Sequence, residues 1–141
     1  MIGFLKNVLE LLGVVFLRFR PVPRVWCVWL VCVNAASLYF INNVEGQVVL
    51  GLTLLAVIAQ TIVYGRIGFT RILGSAHILW VPMFAWMATR LDHITADPAM
   101  VIWLAMLFVT NVVSLIVDTI DVFRYANGER APHYVWLSSV N

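Results

Sequence analysis

A chain of 141 residues with 62% hydrophobic and 11% charged side chains, at a mean hydropathy of +0.94, is not the composition of a water-soluble domain. Soluble domains carry about 25% charged residues. The formal net charge of +2 matters less than where the basic residues sit, and no nucleic-acid partner and no soluble module are expected.

In chain order, residues 1–20 read as an amphipathic helix. Lys6, Asn7, Glu10 and Gly13 form a narrow polar stripe, with Phe4, Leu5, Val8, Leu9 and Leu12 around it. Such a helix lies in the headgroup plane of a bilayer, or packs on a partner protein. Lys6 resembles a basic leader, but no small-x-small cleavage site follows, so the segment is read as retained. Pro21 and Pro23 are expected to end it and turn the chain.

Four apolar stretches follow, at 25–41, 48–64, 73–89 and 99–123, the last with its apolar core at 99–117. A 17-residue stretch covers roughly 25 Å at about 1.5 Å per residue, and interfacial flanks make up the rest of a ~30 Å hydrocarbon core. Continuous runs argue for helices, since barrel strands would alternate. The expected fold is therefore an all-α integral membrane protein: a single membrane domain over 1–141, an antiparallel bundle of four transmembrane helices preceded by an interfacial helix. Cys27 and Cys32, both in the first stretch, have poor disulfide geometry and read as packing residues. Pro82, mid-way in the third stretch, is expected to kink it.

The connections are short, so neighbouring helices run antiparallel. Lys6, Arg18, Arg20, Arg24, Arg66, Arg71, Arg124 and Arg130 then fall on one side, and Arg90 on the other. The positive-inside rule makes the first side cytoplasmic, with both termini there; a bacterial inner membrane suits the small size. Trp26 and Trp29 are expected at the inner interface, Trp86 and Trp103 at the outer, with Trp80 packed or lipid-facing. No internal repeat supports an inverted-repeat transporter.

Ionisable groups within a span are functional suspects, and His77 and Asp118 qualify. Gln60 lies six residues before Arg66, His77 six after Arg71 and Asp118 six before Arg124. Six residues are roughly 9 Å of rise, which sets these polar side chains at one depth. In the fourth span Asn111, Ser114, Asp118 and Asp121 share a stripe. Asp121 is expected to pair with Arg124 or Tyr125, Asp118 with His77 or Arg71, and Asn34 with Asn111. The polar layer of Gln60, His77, Ser114 and Asp118 reads first as a hydrogen-bonded register lock, then as a proton or ion relay, then as a lipid or quinone head-group site.

No metal, haem or other cofactor is expected: one histidine and one carboxylate are too few ligands, and a paired axial arrangement is missing. Asp92, His93 and Asp97 read as a solvated outer loop. Arg66, Arg71, Arg124 and Arg130 could contact anionic lipid; no phosphate-binding loop is present. Asn127-Gly128 is a helix stop, and the apolar tail within 127–141 is expected to dock on membrane or partner.

The leading functional expectation is a non-enzymatic accessory or scaffold subunit of a larger membrane complex. The alternative is a small homo-oligomeric proton- or cation-coupled transporter or channel using the His77/Asp118 layer; the third is a lipid- or quinone-binding membrane protein. The partners implied are membrane lipids and either larger subunits or copies of the chain itself.

Overall fold

The computed structural model describes residues 2–132 and 134, and among them it is helical, with one isolated backbone bridge between Phe69 and Tyr134. Three helices are long and apolar enough to cross a membrane: Pro21–Leu38, Val44–Ile67 and Pro98–Ala126.

Helix α1 (Ile2–Gly13) continues into a π-helical turn, Val14–Arg18. Its end is closed by Arg24, whose Nη2 donates to the carbonyls of Leu17 at 2.9 Å and Phe19 at 2.7 Å, satisfying acceptors that a helix end leaves open. The polar stripe is divided: Lys6 is exposed, while Asn7 and Glu10 are half-buried. Asn7 packs against Gly65, and Tyr64 donates to Glu10 at 3.3 Å, so these two residues meet the helix Val44–Ile67 while Leu5 and Leu9 stay exposed. Polar side chains that find partners in the fold need no water.

The preceding segment stops at Arg18, the chain is extended at Phe19 and Arg20, and Pro21 and Pro23 open α2 (Pro21–Ala35). In a first helical turn the missing N–H would be unpaired anyway. Ala36–Leu38 tightens into a 3₁₀ turn, and α3 (Val44–Ile67) returns antiparallel. Gly46 sits where a Cβ would run into the carbonyl of Phe40, which keeps that corner tight.

The third apolar stretch departs from the expected single helix. Arg71–Leu79 winds as a 3₁₀ helix, and only then does α4 (Trp80–Ala88) begin. Pro82 falls in the first turn of α4, so it marks a helix start, not a mid-helix kink. Lacking an N–H, it cannot continue an α-helical ladder from the preceding turn. A short α5 (Leu91–Ile94) leads to α6 (Pro98–Ala126), whose N-cap Asp97 accepts from the amides of Ala99 and Met100. The helix ends at Asn127, with Gly128 at φ 108°; only glycine adopts that conformation readily.

Helix α6 is the central post. Buried positions make up 39% of its apolar window, against 22% for α3 and 17% for Pro21–Leu38. Trp26 and Trp29 of α2 meet Ser114 and Thr110, and Arg71, His77 and Phe84 meet Asp121, Asp118 and Phe108; both pairings run antiparallel.

The interior has two halves. At the end bearing Arg90, apart from the buried Glu45 and Ser37, it is apolar: Met83, Met87, Met100 and Leu107 share one cluster with Phe40, which stacks on Trp103 at 4.6 Å. Trp103 is 3% exposed and donates to the carbonyl of Val33, so it is a core residue and not a member of an interfacial belt. Towards the end bearing Arg66, Arg71 and Arg124 the interior is polar.

Candidate functional site

The polar half is built on one face of α6. Spacings of three and four residues align Asn111, Ser114, Asp118 and Asp121, and each meets a different element. Asn111 and Asn34 are both buried and exchange amide hydrogen bonds of 3.0 and 3.3 Å, and Thr53 donates to Asn34 at 3.3 Å. Ser114 accepts from Trp26 Nε1 at 3.1 Å. It stands beside the His77 group rather than within it.

The 3₁₀ winding selects what faces the lower part of this stripe. At three residues per turn, Arg71, Gly74, His77 and Trp80 fall in one row. On an α-helix, residues nine apart would lie about 180° apart. Along that row Arg71 pairs with Asp121, Gly74 packs flush against Asp118, His77 binds Asp118, and Trp80 stacks on His77 at 4.2 Å with rings 8° from parallel.

The centre is a three-residue chain from three elements. His77 Nδ1 lies 2.7 Å from Asp118 Oδ2, and His77 Nε2 lies 2.9 Å from Gln60 Nε2. A carboxylate at Nδ1 requires the proton there, so Nδ1–H donates and the lone pair of Nε2 accepts from the Gln60 amide. This is the pairing a neutral imidazole makes. On protonation Nε2 would become a donor, and Gln60 could answer by rotating its amide to present Oε1. The arrangement therefore accommodates both charge states of the imidazole without leaving a ring nitrogen unpaired. The His77 and Asp118 side chains are 15% and 20% exposed, so the site is neither sealed nor open. Thr61, at a similar depth, is turned onto its own helix, donating to the Val57 carbonyl.

The cationic residues at this end behave differently from one another. Asp121 takes Arg71 as its partner, not Arg124 or Tyr125 of its own helix, because the 3₁₀ row brings the guanidinium across. Arg71 also approaches Glu129 at 3.1 Å, and Arg124 donates to Glu129 at 3.0 Å. Arg124 beside it holds the Glu129 carboxyl below the usual carboxylate range. Arg130 lies over the Tyr125 ring, and Arg66 is exposed. Tyr134 joins Phe19 and Phe69 in an aromatic cluster; His133 and residues 135–141, including the expected docking tail, lie outside the described residues.

At the opposite end sequence reasoning missed a site. Glu45 is 0% exposed, and Arg90 Nε donates to its Oε1 at 2.7 Å. Arg90 also lies over the Trp86 ring at 5.2 Å. The available signal was charge placement: Arg90 is the one basic residue on its side of the topology, among acids. Among the described residues no three His, Cys, Asp or Glu side chains come together as a metal site.

Among the described residues the chain is all-helical, and three of its helices are long and apolar enough to cross a membrane, consistent with an integral membrane protein. Comparison with protein-family models, with curated proteins and with solved structures finds no match.

Proposed function

We propose that this chain is a non-enzymatic accessory or scaffold subunit of a larger membrane protein complex. The observation that carries the reading is a contrast between inside and outside. The α6 polar stripe is partnered within the chain, from Asn34 to Arg71. The surface offers apolar side chains on every long helix, among them Leu54, Ile102, Val109 and Ile120, each more than half exposed. A polar stripe partnered in this way supports fixed helix register, and an apolar exterior supports lipid and partner contact.

Four membrane crossings with both termini cytoplasmic belong to the same reading. Arg71–Leu79 and Trp80–Ala88 hold nine residues each. At about 2.0 and 1.5 Å per residue they extend roughly 31 Å, a bilayer core's thickness that an unbroken α-helix of that length would not reach. Lipid contact by the basic residues falls chiefly to Arg66 and Arg130, since Arg71 and Arg124 are engaged by carboxylates. A bacterial inner membrane is the location proposed with it. The face of α1 carrying Leu5 and Leu9 is assigned to the partner.

The test is purification of tagged protein in native-lipid particles, with mass spectrometry of what accompanies it. A stoichiometric membrane subunit that is lost on Leu5→Glu or Leu9→Glu supports the reading. Recovery of this chain alone, as a defined homo-oligomer, overturns it.

The second reading, a proton- or cation-coupled transporter, draws on the 2.7 Å His77–Asp118 contact. Against it, the polar stripe stops at Asn111, and from Leu107 to Met100 the interior is apolar over about 10 Å. Conduction would need several copies to complete a path. A lipid or quinone head group at the same layer is the third reading, and it would be seen as a co-purifying molecule in the same experiment.

A further inference from the structure

Glu45 has a second carboxylate oxygen, and its surroundings set it apart from the other acids of the chain. Oε1 is occupied by Arg90. Oε2 is buried, and among the described residues nothing donates a hydrogen bond to it. Bulk water does not reach a side chain with 0% exposure. The nearest candidate donor is His93 Nε2, at 3.9 Å, within ion-pair reach but too far for a hydrogen bond. The His93 side chain is 58% exposed, so it exchanges protons freely with the surrounding water.

We propose that His93 and Glu45 form a proton-operated latch at the end of the bundle opposite Arg66, Arg71 and Arg124. When the imidazole gains a proton, Nε2–H becomes a charged donor facing an unsatisfied carboxylate oxygen. Attraction then draws the short α5 segment inward by about 1 Å, to hydrogen-bond distance. The bound proton stays on His93; no other bond is made or broken. When the imidazole is neutral, the attraction falls and α5 is held by Ile94, which is buried in the core, and by the Arg90 bond. Histidine is the side chain suited to gain and lose a proton near neutral pH, so the latch tightens as pH is lowered and loosens as it is raised.

The other charged groups at this end are Arg90, which neutralises Oε1, Asp92 beside His93 on α5, and Asp97, which caps α6. The His93→Ala variant, which leaves Arg90, Asp92 and Asp97 in place, separates the contribution of the imidazole from theirs.

The experiment is hydrogen exchange at the amides of residues 91–97 in lipid nanodiscs, at about pH 8 and 5.5, corrected for intrinsic exchange. The wild-type chain should gain about tenfold protection at the lower pH, as one hydrogen bond to a charged group predicts. His93→Ala and Glu45→Gln should abolish the gain, and His93→Gln should give protection that does not change with pH. A gain that persists in His93→Ala overturns the proposal, as does equal protection at the two pH values in the wild type. His93 is more than half exposed, so its variant decides the outcome even if Glu45→Gln fails to fold.

Discussion

Gly74 lies so close against Asp118 that a Cβ at position 74 would overlap the carboxylate. The 3₁₀ helix and α6 meet through a hydrogen atom there, and this close approach holds Asp118 where His77 can bind it.

Gly74→Ala should therefore destabilise the fold by about 1–3 kcal/mol, as overpacking does, and should weaken the His77–Asp118 contact. Gly51→Ala is the control. Nothing lies within 4 Å of the position a Cβ would take there, and alanine in a helix should stabilise by about 0.5–1 kcal/mol. Thermal unfolding in one detergent, with both variants side by side, reads the opposite signs.

Arg90→Ala leaves the Glu45 carboxylate buried and uncompensated, at a cost of about 3–5 kcal/mol. Adding Glu45→Gln to that variant should recover most of the loss. If the double variant is no more stable than the single one, Arg90 acts through its packing on Trp86 and not through charge. Unfolding curves of the two variants distinguish these outcomes.

The Asn34–Asn111 pair should show direct coupling. In a double-mutant cycle with alanine, the interaction energy should be about 0.6–2 kcal/mol, the range of interhelical hydrogen bonds in membranes. A coupling near zero would mean that each amide finds another partner when its mate is removed.

Asp118→Asn removes the charge while keeping the shape. Under the scaffold reading it should cost stability or assembly, by about 1–2 kcal/mol, with no change in ion flux. Under the transporter reading, proton or cation uptake into proteoliposomes should disappear while the fold survives. Measuring flux and stability on the same preparation separates the two.

Glu129 gives a pH test outside the apolar helices. Its carboxyl is held below the ordinary value of about 4.3 by hydrogen bonding from Arg124. The Arg124–Glu129 contact therefore contributes stability at neutral pH and loses it only as pH falls through the lowered midpoint. An NMR titration should place that midpoint below 4.3 and return it upward in Arg124→Ala.

How much of the site could be read from the chain depends on whether periodicity or winding controlled the outcome. Equal six-residue offsets from Arg66, Arg71 and Arg124 put Gln60, His77 and Asp118 at one depth, and the structure joins those three side chains. The Asn34–Asn111 pair was legible for a similar reason, as isolated amides in apolar helices. Asp121 was not: its partner follows from the 3₁₀ row, and no apolar periodicity marks where an α-helix gives way to tighter winding. The burial of Glu45 was not legible either, because burial of a helix's first turn depends on which chain segment folds over it.

The sequence alone determined the class. Apolar stretches of this length are suited to leave water, and inside a bilayer a backbone pairs within a helix. It also determined the polar stripe of α6, because side-chain direction follows from helical spacing. Only the tertiary structure decided the pairings: His77 with Asp118, Arg71 with Asp121, Arg90 with Glu45. Those depend on the relative rotation of packed elements, which a residue's own neighbours in the chain do not specify. A close approach such as Gly74 on Asp118 sets that rotation.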